Sequence, residues 1–183
     1  MSYYDVDAIL TDAEKLPCRF ELDVPRLAQL DSPSAVGLKA GTALSLPFWL
    51  AKVLAVTSVG HDSWLKLDQP PWLSEETVAA LKDNPRAVSL RDQNAHFFGM
   101  GERMTDLLQD SQLNSVLCRS FVARATDVGL LASKSDQIPT GEASDFARGL
   151  DNWEVAIFNS LHEGVGAIKA WLDSIQGPVA GES

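Results

Sequence analysis

FARGLDNWEVAIFNSLHEGVGAIKAWLDSI, residues Phe146 to Ile175, carries the longest regular pattern in the chain. Phe146, Leu150, Trp153, Ile157, Leu161, Val165, Ile168, Leu172 and Ile175 recur at steps of three or four. Eight steps cover 29 positions, an average close to the period of a straight helix. One long amphipathic helix is expected, and at ~1.5 Å per residue it would outrun the ~30 Å diameter of a small domain. Phe158 and Trp171 lie outside the stripe and widen its apolar arc. Gly164 and Gly166 each cost ~1 kcal/mol of helix propensity, so they mark a kink or a close helix contact. A helix this long, and apolar on more than one side, calls for more neighbours than 183 residues supply. A subunit interface is the reading that follows.

Upstream of this helix the pattern stays helical as far back as Trp72. Ser74 followed by Glu75 and Glu76 is a good start, because a hydroxyl caps free N–H groups and acids complement the positive end of a helix. That helix carries Val78 and Leu81 and stops near Asn84-Pro85. A second is expected from Asp92 to Gln109, and a third after Asp110-Ser111, bearing Leu113, Val116, Leu117, Phe121, Val128 and Leu131. The polar break from Ser133 to Gly141 leads to the last helix. Arg119 and Arg124 sit among the apolar residues of the third helix. Beside Phe121 they read as partners of carboxylates at a subunit boundary rather than as catalytic clamps.

The first seventy residues have a different rhythm. A short helix over Asp5 to Lys15, capped by Asp5, would place Val6, Ile9 and Leu10 on one side. Cys18, Phe20 and Leu22 then alternate with Arg19, Glu21 and Asp23, the signature of a half-buried strand. Asp31-Ser-Pro-Ser34 is a loop, a second strand ends at Leu46, and Trp64 to Leu67 gives a third before the breaker Pro70-Pro71. At Leu46-Pro47-Phe48-Trp49 a strand runs straight into a short helix. No acid–base pair lies near, so this is a domain joint that locks the small domain rather than an active site. The expected fold class is α+β, with a β-rich domain over residues 1–71, a helical domain over 72–176 and a short flexible tail over 177–183.

Composition narrows the function classes. The chain is 45% hydrophobic and 22% charged, as globular proteins are, and its net charge is −10. An acid excess opposes a surface that grips phosphates, so little or no DNA binding is expected of the chain alone. The five tryptophans accordingly read as packing rather than base-stacking residues. Cys18 and Cys118, with no CxxC and no paired histidines, are expected to be buried reduced thiols. No basic segment precedes an apolar one at the N-terminus and no apolar run reaches ~20 residues, so neither a secretory signal nor a membrane span is expected. Gly99-Met-Gly101 and Gly164-Val-Gly166 lack the third glycine of a dinucleotide fingerprint. His61-Asp62 and His162-Glu163 put imidazole beside carboxylate, but adjacent positions on a helix do not face each other. No catalytic, cofactor-binding or metal-ligating residue is assigned. A scaffold subunit is therefore weighed against a stand-alone α+β enzyme with an unseen site and an independent nucleic-acid-binding module.

Five segments in register carry a resemblance. They are Tyr4-Asp-Val-Asp-Ala-Ile-Leu10, Leu46-Pro-Phe-Trp-Leu-Ala-Lys52, Asn84-Pro-Arg-Ala-Val-Ser-Leu90, His96-Phe-Phe-Gly-Met-Gly101 and Leu117-Cys-Arg-Ser-Phe-Val-Ala-Arg124. Together, from Tyr4 to about Leu172, the chain resembles the "partner of Sld five, number three" family of subunits of the eukaryotic GINS complex. The resemblance implies a small β-rich domain followed by a larger helical one, in a heterotetramer whose helical domains pack together while the small domains bind neighbours. It implies a noncatalytic scaffold in the nucleus. Its partners would be the three other GINS subunits and, within the replicative helicase, the MCM hexamer and the Cdc-forty-five protein, with an indirect link to the leading-strand polymerase. Phe121, Arg124, Phe158 and Trp171 are the residues expected at the subunit interface.

Overall fold

Alternation at Leu16, Cys18 and Phe20 makes one face of a strand wholly apolar, and that strand organises the N-terminal part of the molecule. The computed structural model describes residues 4–24, 38–59, 62–133 and 142–175. The expected loop at 31–34, His61, most of the polar break and the tail at 177–183 lie outside them. The chain divides into two units, Met1–Glu75 with Asp106–Gln109, and Glu76–Thr105 with Asp110–Ser183. The class is α+β, as expected.

In the first unit, β1 (Lys15–Phe20) lies between β2 (Ala43–Pro47) and β5 (Leu65–Leu67), both antiparallel to it. Leu16 faces Leu46, and Cys18 stands between Leu44 and Leu67. Leu16, Cys18, Phe20, Leu46 and Leu65 are buried. Pro17 is tolerated within β1 because its carbonyl already looks past the end of β5, where it accepts the Asp68 N–H. The N–H it lacks would point the same way. The turn before β2 needs Gly41, whose φ is +86° and whose N–H donates to Phe20 O at 2.7 Å. A two-residue hairpin, β3 (Ser58–Val59) with β4 (Asp62–Ser63), is too short to carry a periodic signal and was not expected from the sequence.

Two helices complete this unit. α1 (Val6–Ala13) is capped by Asp5, whose side chain accepts the N–H groups of Asp7 and Ala8. α2 (Phe48–Val56) begins at the joint: Phe48 N–H donates to Glu14 O at 2.8 Å, so the residue that closes α1 also satisfies the first turn of α2. Leu46 and Phe48 are buried and Pro47 half-buried, whereas Trp49 is 56% exposed. α1 holds one surprise. Its apolar side faces solvent and Thr11 faces in.

A 3-10 turn (Pro71–Leu73) with buried Trp72 and Leu73 precedes α3 (Glu75–Asp83). The helix expected over Asp92–Gln109 is two helices, α4 (Leu90–Gln93) and α5 (Phe97–Leu108). The chain leaves helical geometry at Asn94, whose side chain accepts the His96 N–H at 2.6 Å, an alternative that asparagine offers the backbone. Gln109, at φ 52°, ends α5, and Asp110 caps α6 (Ser111–Ser133) by accepting the N–H groups of Gln112 and Leu113. α6 buries Leu113, Leu117, Ser120, Arg124, Val128 and Ala132, one seam at helical spacing. Cys118 is exposed rather than buried, because it stands one ~100° step beyond Leu117 on the solvent side. Cys18 is buried as expected, and burial pushes its thiol up to about 11. Gly101 lets α5 approach α6: a Cβ there would sit 2.7 Å from Leu117 Cδ1.

The stripe from Phe146 to Ile175 is not one helix. α7 (Glu142–Arg148) and α8 (Asn152–Ile175) are separated at Gly149-Leu150-Asp151. α8 runs unbroken through Gly164 and Gly166, and a Cβ at either would meet nothing within 4 Å. Neither a kink nor a close contact with the described residues accounts for them. Gly164→Ala and Gly166→Ala should each stabilise α8 by about 1 kcal/mol in the free chain. Slower amide exchange across the second half of α8 would register the gain; unchanged or faster exchange would contradict the open surroundings described.

Candidate subunit interface

Arg124 lies in the middle of the buried seam of α6, where a charge survives only if every donor is engaged. Its Nε donates to Glu154 Oε1 at 2.6 Å and its Nη2 to Glu154 Oε2 at 3.0 Å. Nη1 donates to the carbonyls of Pro85 and Val88, both at 2.8 Å, and Nη2 also reaches Gly149 O at 3.4 Å. All five N–H groups of the guanidinium are therefore engaged. The Phe146 ring covers its face, with Cζ 4.8 Å from the ring centroid. Both Arg124 and Glu154 are 0% exposed.

Glu154 is in turn half of a capping box. Its Oε2 accepts the Asp151 N–H, and Asp151 Oδ1 accepts the Glu154 N–H, so two free donors at the start of α8 are satisfied reciprocally. The other Asp151 oxygen accepts the Phe98 N–H at 3.0 Å in the first turn of α5. One carboxylate thus caps two helices. Gly149 O closes a third by accepting the N–H groups of Leu90 and Arg91. A side chain at Gly149 would meet the Ser89 backbone, its Cβ lying 3.1 Å from Ser89 Cα. Burial pushes the Asp151 carboxyl up to about 6, opposed by its two backbone N–H bonds, raised further by Glu154 and lowered by Arg124.

The four residues expected at an interface fall in different places. Arg124 must be corrected: its carboxylate partner belongs to its own chain, and its side chain presents no surface. Phe121 is half-buried, meeting Phe98 at 5.0 Å and Trp153 at 6.3 Å between centroids, both edge to face. Phe158 is half-buried and stacks on His162. Trp171 is 61% exposed. It has company: Leu161, Ile168, Leu172 and Ile175 are exposed too, and from Asn159 to Ile175 only Val165 is even half-buried. α6 packs against α8, yet it leaves Val122 and Leu130 exposed. The apolar excess expected of the last helix lies in its C-terminal half.

Among the described residues no group of three His, Cys, Asp or Glu is placed to hold a metal ion. His96 is buried, with Asn152 Nδ2 3.3 Å from its Nδ1, and His162 lies exposed on α8. No helix among the described residues is long and apolar enough to cross a membrane.

Residues 72–173 match the family model described as the GINS complex protein helical bundle domain, and a bundle with an outward apolar helix is what this unit is. Its class is therefore that of a GINS helical-bundle protein. Residues 4–56 match the PSF3 N-terminal domain. The chain is 52% identical to the DNA replication complex GINS protein PSF3 of Gibberella zeae over 178 residues, covering 96% of this chain and 99% of that one. It is 32% identical to the corresponding protein of Schizosaccharomyces pombe (95% and 99% covered) and 30% identical to that of Saccharomyces cerevisiae (94% and 98%). The chain belongs to the PSF3 family of GINS proteins.

Arg124→Met should cost about 3–5 kcal/mol in urea unfolding, since it strands Glu154 in the core. Arg124→Lys should also be destabilising, because three donors cannot replace a five-donor fork. Arg124→Met with Glu154→Met should cost less than the sum of the single changes. Strict additivity, or a lysine variant as stable as the native chain, would contradict the arrangement.

A pH series tests the cap. The folded chain holds the Asp151 proton more tightly than the unfolded one, so this group's stabilisation is complete below about pH 4 and lost as pH rises through about 6. The Tm of the native chain minus that of Asp151→Asn should accordingly fall between those values and level off above them. A difference that stays constant from pH 4 to 7 would show that Asp151 is ionised throughout.

Proposed function

We propose that this chain is a noncatalytic scaffold subunit of a heterotetrameric GINS complex, binding the three other GINS subunits in the nucleus. Through that tetramer it joins the MCM hexamer and the Cdc-forty-five protein in the replicative helicase, for initiation and elongation of DNA replication, and reaches the leading-strand polymerase indirectly. The observation that carries the reading is the C-terminal half of α8, whose Ile168, Trp171, Leu172 and Ile175 are exposed in the free chain. Apolar surface of that extent marks a place where another protein sits. The relatives' names put the family in a DNA replication complex, and a partner helix is the natural cover for a helix stripe.

The chain's role is to hold rather than to react. Its buried charges, Arg124, Asp151 and Glu154, are consumed in helix capping and pairing. With a net charge of −10 it gains nothing from phosphate neutralisation, so contact with DNA falls to its partners.

Ile168→Asp with Trp171→Asp changes exposed side chains only, so circular dichroism and the melt of the chain should be preserved. Recovery of the four-subunit species on gel filtration after co-expression should drop at least tenfold. Undiminished recovery of that species would remove α8 as the assembly surface.

A further inference from the structure

Gly164 and Gly166 weaken a helix that has no internal use for them. Neither has a positive φ, and a Cβ at either would meet nothing within 4 Å. Glycine is a poor helix former, so each lowers the stability of free α8 with no compensating contact among the described residues. Their positions on the helix differ. At ~100° per residue Gly164 shares a face with the exposed Ile168 and Trp171, whereas Gly166 is turned about 160° away from it. The neighbours of Gly166 at three and four residues are His162, Glu163, Lys169 and Ala170, a mostly polar surround.

Gly164, Ala167, Ile168 and Trp171 stand at the spacing of the four residues that surround one hole on a helix surface. All four are exposed, Ile168 at 60% and Trp171 at 61%. Two walls of this hole are full-length side chains, the third is a methyl group and the fourth is missing. The next hole along, Ile168-Trp171-Leu172-Ile175, has four large walls and is shallow by comparison. We infer that the hole at Gly164 receives a long apolar side chain, Leu, Met or Phe, from a helix of another GINS subunit, and that Gly164 sets how closely the two helices approach. The distance between packed helices, about 8–10 Å, depends on the side chains at the crossing, and a glycine there admits the short end of that range. The occupant must be long, because a hole left partly empty forfeits the dispersion contacts of its lining. The inference rests on the reading of α8 as the assembly surface and adds the shape of what covers it.

The test fills the hole from this side. Gly164→Leu adds a good helix former at an open position, so the circular dichroism and the melt of the chain should be kept or improved. After co-expression with the three other GINS subunits, recovery of the four-subunit species on gel filtration should fall at least tenfold. Gly166→Leu, on the opposite face, should leave recovery within twofold of the native chain. Gly164→Cys and Gly166→Cys then report cover directly, through maleimide labelling read peptide by peptide in a mass spectrometer. The thiol at 164 should label at least tenfold more slowly in the four-subunit species than in the chain alone, and the thiol at 166 equally fast in both. Undiminished recovery of Gly164→Leu, an equal loss with Gly166→Leu, or labelling at 164 that assembly does not slow would each overturn the inference. So would protection at 164 that builds up with concentration in the chain alone, since a second copy would then be the occupant. If Ile168→Asp with Trp171→Asp abolishes recovery and Gly164→Leu does not, α8 stays the assembly surface and only the filled hole is lost. If neither change matters, both readings fall.

Discussion

The pairing of Arg124 with Glu154 is the constraint on which the helical unit depends. A buried guanidinium is costly to desolvate, and its cost is offset only when five acceptors converge on it. Those acceptors come from α8, from the turn after α3 and from the end of α7, so three stretches distant in sequence are positioned by one side chain on α6. Glu154 passes the constraint on through Asp151 to the first turn of α5. Backbone groups that would otherwise be stranded in the interior are satisfied in the same cluster. Apolar packing alone would bring these helices together; the polar cluster decides how their ends meet.

The same economy explains why the unit can present apolar surface. α6 spends one face on its own chain and exposes Val122 and Leu130 on another. α8 is fixed through its first turns by the capping box and by packing on α6, where Gly129 approaches Leu161. Its remainder is thereby available to other chains. In the N-terminal unit α1 packs against α2 and turns Thr11 inward, which leaves Val6, Ile9 and Leu10 outward. In both units the internal contacts come from one part of a helix and the external surface from another.

How much of this was legible in the sequence follows from which signals are periodic. The strand through Cys18 and Phe20, though not its expected continuation to Leu22, the helix starts after Ser74 and near Asp110-Ser111, and the passage from strand to helix at Pro47-Phe48 rest on local chemistry that acts over a few residues, and the structure follows it. The break between α7 and α8 was hidden because Phe146, Leu150 and Trp153 keep helical spacing straight across it. Its signal was present all the same, in Gly149 followed by the capping pair Asp151 and Glu154. Arg124 could be recognised as a paired cation, but whether the carboxylate lay in this chain or another is a tertiary fact that no spacing encodes. The direction in which α1 turns its stripe is equally invisible to a pattern. Periodicity shows that a helix has two sides, not which one the rest of the molecule takes.

The anchoring of α8 has a mechanical consequence. Beyond Leu161 its last fourteen residues form a cantilever, built in at one end and about 21 Å long. A tilt of about 5° at the root would move the tip by about 2 Å, enough to take a side chain out of register with its counterpart. Stiffness at the base is therefore worth more than stiffness along the beam, which helps a helix tolerate Gly164 and Gly166 in its span. The saturated guanidinium, itself wholly buried, sets the aim of the helix that must meet the outside world.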